Sequence, residues 1–205
     1  MPILSGSVTF SRYRVEHSKK PPSDAKRWML KGLKSMAFEP VDKKSEEDRS
    51  AGFAELEDRD GTDFNVGNLY RGNRALLCWR IDTLRVPSAL LKEELARWAK
   101  VFEQENDRKP ARSEKNEAKA NFKQQLRDRA LPSVKTHDIA WDLEHGELQI
   151  WAASRKVVDE ILGTMETAFE IKLSPHTPTA MSQNPDALKP TLSLVTGNKL
   201  EASHG

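Results

Sequence analysis

"RALLCWRIDTL", residues 74–84, is the stretch whose reading decides the fold. Apolar and β-branched side chains run through it without a regular wet/dry alternation, which predicts a strand buried on both faces. Immediately after it, Pro87 and Ser88 open a helix. Leu91, Leu95, Trp98 and Phe102 there fall at i, i+4, i+7 and i+11, a stripe that reads as core-facing. Pro110 interrupts the pattern, and a second helix runs from about Ser113 to Ala130 with Ala118, Phe122 and Leu126 as its apolar row. Pro132 stops it. Two amphipathic helices joined by a short basic turn make a helical hairpin.

Working outward from that centre, "SGSVTFSRYRV" (5–15) sets Val8, Phe10, Tyr13 and Val15 against small or polar neighbours and predicts a first strand. "KKPPSDAK" breaks the chain and offers Ser23 or Asp24 as an N-cap. Trp28, Met29, Leu33 and Met36 then form a helical stripe that ends near "SMAFEP". The acidic segment that follows reads as a loop with a short strand at "GFAEL". Downstream, "HDIAWDLEHGELQIWAA" (137–153) alternates Ile139, Trp141 and Leu143, turns at His145-Gly146, and resumes with Leu148 and Ile150, a β-hairpin. Ser154 caps a third helix carrying Val157, Val158, Ile161, Leu162, Met165 and Phe169, and "EIKL" makes a closing strand. From Ser174 onward Pro, Ser, Thr and Asn dominate, so a mobile tail is expected, with one short strand at "LSLV".

The fold class is therefore α+β: antiparallel or mixed sheets, packed helices and a protruding basic helical hairpin. The expected divisions are an N-terminal α+β part (1–87), the helical hairpin (88–132), a β-hairpin with a helix and closing strand (133–173), and the tail (174–205). A strand-then-helix unit occurs three times, but its copies share only a tryptophan near the strand end and a capped helix.

A chain of 205 residues suits one domain or two small ones. Cys78 is the single cysteine, which excludes an internal disulfide and a cysteine-built zinc site and fits a reducing, intracellular setting. No apolar run approaches the roughly 18 residues needed to span a bilayer. "MPILSGSVTF" lacks the basic start and long apolar core of a secretion signal, so a cytoplasmic protein without a membrane partner is expected. Net charge is only +2, but it is segregated. Residues 108–129 hold eight bases against three acids, whereas residues 39–63 hold ten acids against four bases. Segregation of this kind shapes a local field.

Signals for enzymatic chemistry are poor, and no cofactor is implied. The five histidines are scattered, with no metal-ligand spacing, phosphate-cradling glycine loop or nucleophile elbow. His137, Asp138 and Asp142 could suggest a metal-dependent nuclease, which clusters carboxylates around divalent ions. Asp138 and Asp142, however, alternate outward against Ile139, Trp141 and Leu143, as the wet face of an antiparallel strand does. Of the five tryptophans, Trp79, Trp98 and Trp141 read as core; Trp151 is the exception, placed on the other side of its strand and available to stack on a nucleobase.

The basic stripe is the remaining candidate. Lys115, Lys119, Lys123 and Arg127 recur every four residues and share one face of their helix. Arg108, Lys109 and Arg112 add charge at the turn, and Arg71 and Arg74 of "YRGNR" add to the same field. On sequence alone a solvated helix face, with Glu114 and Glu117 partnering some lysines, carries more weight than a phosphate contact. If the stripe does meet a polyanion, rows of this kind neutralise phosphates without reading bases, so binding would be sequence-independent and salt-sensitive.

Several motifs together resemble a known family. "SMAFEP" (35–40), the strand and "VPSALLKEEL" helix start (75–95), the basic hairpin ending in "ALPS", and "IAWDLEHGELQIWAASRKVVDEILGTM" occur in the order and spacing of the recombination-associated protein RdgC, across roughly residues 5–175. The resemblance implies a bacterial, nucleoid-associated protein that forms ring-shaped homodimers, encloses duplex DNA in a basic central hole and restrains the RecA recombinase. Arg108, Lys109, Lys115 and Lys119 match the family's basic hairpin in kind. Some members carry an exonuclease label, which no motif here supports. Two features depart from the family. Its members are longer, and this sequence stops where their last third would begin. Val134 also stands where an aromatic residue commonly follows the proline that closes the hairpin. The reading that follows is a non-catalytic, sequence-independent binder of double-stranded DNA, dimeric and located on the nucleoid. The alternative is a shortened scaffold that has lost DNA binding and forms homo- or hetero-oligomers.

Overall fold

The computed structural model describes residues 10–17 and 24–176. The part of the expected first strand before Phe10, the alternative cap Ser23, and the tail from residue 177 with its "LSLV" strand lie outside these residues. In chain order the elements are β1 (Ser11–His17), α1 (Ala25–Ser35), β2 (Arg49–Glu55), α2 (Val66–Leu69), β3 (Tyr70–Arg71), β4 (Arg74–Thr83), α3 (Ser88–Asn106), α4 (Arg112–Arg129), β5 (Ser133–Asp142), β6 (Glu147–Ile150), α5 (Arg155–Phe169) and β7 (Ile171–Pro175). The class is α+β, as expected.

The strands form one seven-stranded sheet in the order β2-β4-β5-β6-β1-β7, with β3 paired to β4 off this path. All named strand pairs are antiparallel. β1 pairs with both β6 and β7, and β4 pairs with β5, so residues from 10–87 and 133–175 share this sheet. The β-hairpin turns where its sequence predicts: Asp142 stands opposite Glu147, and Gly146 takes φ +62°, a left-handed conformation that suits glycine. Asp24 caps α1 by accepting a hydrogen bond from the Arg27 amide at 3.0 Å.

Helices α1 and α5 cover one face of the sheet. Met29 and Leu33 from α1 and Val158, Ile161, Met165 and Phe169 from α5 are buried with Ala75, Leu77, Trp79 and Ile81 of β4 and Ile139 and Trp141 of β5. The Phe169 ring lies 5.1 Å from both Trp28 and Trp141, edge to face in each case. Gly32 lets the two helices approach, since a Cβ there would come within 2.2 Å of that ring.

The opposite face of β4 is covered too, by the chain that follows α1 and by the loop after β2. A parallel bridge joins Ala37 to Phe53, and Phe38, Ala54, Leu56 and Cys78 form a second, smaller cluster. Burial drives the Cys78 thiol up to about 12, and its Sγ donates to the Glu55 carbonyl at 3.3 Å. Arg80 lies with its guanidinium 4.4 Å from the Phe38 ring centre, forks onto Asp82 at 2.8 and 3.0 Å, and reaches Asp60 and the Arg59 carbonyl in the covering loop. Arg59 in turn donates to Thr136 and, at 3.2 Å, to Asp138. The wet face expected for Asp138 is thereby corrected: Asp138 is fully buried, because the loop after β2 closes over that face and brings a guanidinium to it. Asp142, at the strand end, is half-buried and accepts from the His145 amide and from Arg74.

Trp151 departs from expectation as well. It is 7% exposed, with its ring 5.1 Å from Phe10, so packing and not an open stacking surface accounts for it. Among the described residues, no helix is long and apolar enough to cross a membrane.

Gly32→Ala tests the α1–α5 approach. Alanine gains helix propensity of roughly 1 kcal/mol, but overpacking against a ring pinned by two tryptophans costs about 1–3 kcal/mol. A net loss of stability is expected in urea unfolding; a gain would show that the helices do not meet as closely as described.

Candidate nucleic-acid interface

The hairpin is built by a left-handed stop and a clasp. Asp107, at φ 48°, ends α3, and Pro110 and Ala111 lead into α4. Arg108 grips Glu114 with both terminal nitrogens, at 2.9 and 2.7 Å, while its guanidinium centre lies 4.9 Å from the Phe102 ring centre. Glu114 also accepts from the Ala111 amide at 2.7 Å, the half of a capping box open to a helix whose N-cap is alanine. The Arg108 guanidinium first, then that amide, hold the Glu114 carboxyl at about 2.

Leu91, Leu95, Trp98 and Phe102 are only half-buried, and α3 has no fully buried residue. The core-facing stripe is therefore corrected. It faces α4, its main packing partner, and two helices can cover only one side of each other. On α4, Ala118 is buried while Phe122 and Leu126 are half-buried, on the expected row.

The basic residues part company by position. Lys109, Arg112, Lys115, Lys119 and Lys123 are exposed, and none makes an ion pair or side-chain hydrogen bond with another described residue. Lys115, Lys119 and Lys123 follow one another at about 6 Å along the axis. The acids proposed to neutralise them do not: Glu114 is taken by Arg108, and Glu117 has no ion pair among the described residues. Arg127 continues the stripe in sequence but not in space. It is 3% exposed, and its guanidinium serves the carbonyls of Lys43 (2.9 Å) and Glu47 (2.5 Å) and the carboxylate of Asp48. One helical turn beyond Lys123, α4 has reached the 42–48 loop, where Lys43 also donates to the Asp128 carbonyl at 2.7 Å and Gln124 to the Lys43 carbonyl at 3.0 Å. Arg127 is an anchor, not a free cation.

Arg71 and Arg74 stand elsewhere again. They flank the β3–β4 turn, at the opposite end of β4 from the hairpin's junction, about 30 Å along a strand of this length. That is several Debye lengths in physiological salt. Each is also engaged, Arg71 by Glu57 at 2.5 Å and Arg74 by Asp142 at 3.4 Å. The connected field comes from five residues on one arm.

Sequence reasoning missed the flanks of the arm. Trp98 lines a groove on either side of the hairpin. One is floored by Leu95, Ala96 and Ala99 and edged by Lys115 and Lys119. The other is lined by Phe102 and Phe122 beside Glu114, Glu117 and Gln125. Small residues at Ala96 and Ala99, three apart and level with the lysine row, were the available signal.

A family model described as "Putative exonuclease, RdgC" matches residues 10–188. The chain belongs to the RdgC family. No curated protein matches it. The RdgC match takes in every strand and helix described above, the basic arm included. As for the exonuclease in that description, no group of three or more His, Cys, Asp and Glu side chains among the described residues is placed to hold a metal ion.

Two measurements check this geometry. Arg127→Ala removes the guanidinium that serves the Glu47 carbonyl and the Asp48 carboxylate and leaves the Lys43 carbonyl to Gln124 alone. It is expected to cost about 1–3 kcal/mol, with faster amide exchange confined to residues 42–48 and the end of α4. In an NMR titration, Glu114 is expected to keep its charge down to about pH 2. Its carboxyl is depressed in the folded state, so the clasp is fully formed above the ordinary carboxylate range and opens as pH falls towards that value. Arg108→Ala should move the midpoint upwards.

Proposed function

We propose that this RdgC-family chain is a duplex DNA-binding protein of the bacterial nucleoid that contacts phosphates through the α3–α4 arm, without sequence preference, and so modulates recombination. The observation that carries this reading is the set of exposed cations Lys109, Arg112, Lys115, Lys119 and Lys123, unpaired among the described residues, on an arm where Arg108 takes Glu114 and Glu117 lines the other flank. A helix row of ammonium groups neutralises a phosphate backbone as point charges and reads no base edge. Five such contacts imply a slope of about −4.5 in log K against log salt, roughly five hundred-fold between 50 and 200 mM.

Family resemblance supports a dimer. Leu131 at 87% and Val134 at 48% exposure stand at the root of the arm, an apolar surface that a second copy would cover. The assembly-scaffold alternative shares that surface and dispenses with DNA.

Duplex binding by the native chain and by Lys115→Glu/Lys119→Glu/Lys123→Glu, measured at several salt concentrations, decides between them. The triple variant is expected to bind more weakly, with a slope smaller by about three. Equal affinity and slope would remove the arm from the interface. A large particle in light scattering that ignores added duplex would favour the scaffold.

A further inference from the structure

We propose that the groove on the basic flank of the arm is a docking site for an acidic, amphipathic peptide segment of a partner protein. The groove is lined with apolar groups by Leu95, Ala96, Trp98 and Ala99, and its one polar side chain besides Lys115 and Lys119 is Asn116. Its volume is about 310 Å³, enough to seat one or two bulky apolar side chains but too small for a folded domain. Lys115 and Lys119 stand on its rim, exposed and unpaired among the described residues. A phosphate backbone engages the two lysines but has no bulky apolar side chain to seat in such a floor. An uncharged hydrophobic segment would leave the two ammonium groups without partners. A segment with Leu or Phe on one side and Asp or Glu beside them satisfies both halves of the groove at once, as helix-in-groove recognition does elsewhere.

The opposite flank sharpens the choice. Trp98 lines that groove too, but there the rim carries Glu117, without an ion pair among the described residues, beside Glu114, whose charge Arg108 already holds. An acidic segment is repelled on that side and attracted on this one, so charge selects the flank as well as the partner. Because Lys115 and Lys119 also belong to the proposed phosphate row, peptide and duplex would compete. That last clause rests on the DNA reading; the docking itself does not.

The test uses the full chain and a short fluorescein-labelled peptide of Asp and Glu with Leu at i and i+7 and Phe at i+4, followed by fluorescence polarisation. Saturable binding is expected, accompanied by a shift of the Trp98 indole N–H resonance. Ala96→Phe, which fills the floor and leaves every lysine in place, should weaken the peptide about tenfold or more and leave duplex binding unchanged. Lys115→Glu/Lys119→Glu should weaken both. The inference is overturned if a peptide of equal charge with Ser in place of Leu and Phe binds as tightly, or if Ala96→Phe has no effect. It is also overturned if the native chain is a dimer that Ala96→Phe turns into a monomer, because a second copy then fills the groove. Displacement of the peptide by unlabelled duplex supports shared lysines. Peptide binding in a chain that binds no duplex supports the groove and overturns the DNA reading alone.

Discussion

β4 has no solvated face, and the rest of the structure depends on that. A strand with an apolar row towards α1 and α5 is ordinary. Here the second row is Leu76, Cys78, Arg80 and Asp82, and its last three members are buried too. Burying a guanidinium and a carboxylate costs free energy unless both are hydrogen-bonded. The solution is local and multiple: Arg80 forks onto Asp82, stacks on Phe38 and reaches back to the loop that covers it. The same loop sends Arg59 to Asp138. The cover is therefore held by ions around a small apolar cluster, where the other face is held by hydrocarbon.

This division explains what could be read from the sequence and what could not. The four long helices, their approximate ends, a cap at Ser23 or Asp24 and the Gly146 turn are local matters, set by spacing and by a few residue types, and they were legible; the single turn of α2 was not. So was the double burial of "RALLCWRIDTL". The identity of its second cover was not. Alternation along β5 places Asp138 on the face away from Ile139 and Trp141, but nothing in that alternation says whether water or a distant loop lies above it. The same limit applies to Arg127. Its spacing from Lys123 is that of a continuous stripe, and only the arrival of residues 42–48 at the end of α4 removes it from the surface. The half-burial of Leu95 and Trp98 has a related cause. Their spacing demands a partner without saying how large that partner is, and a single helix covers less than a sheet does.

The arm consequently differs in character from the body. Its two helices pack mainly on each other, its far end is closed by the Arg108–Glu114 clasp, and its root is fastened by Arg127 and Gln124 to a loop. Charge is partitioned along it by the same devices: Arg108 at the far end and Arg127 at the root are consumed by structure, and Lys109, Arg112, Lys115, Lys119 and Lys123 are left to solvent. A candidate interface that looked like nine residues in sequence contracts to five in space, and it gains an apolar flank that charge counting could not reveal.

Cys78 has a practical corollary. It is the sole thiol of the chain, sealed in the smaller cluster and held far from its reactive form. A cysteine introduced at the exposed tip of the arm, at Lys109 for example, would be the one group to take a maleimide dye or spin label at neutral pH. The fold thus comes with a background already silent to thiol chemistry, and distances from the tip can be read by spectroscopy without first removing a native residue.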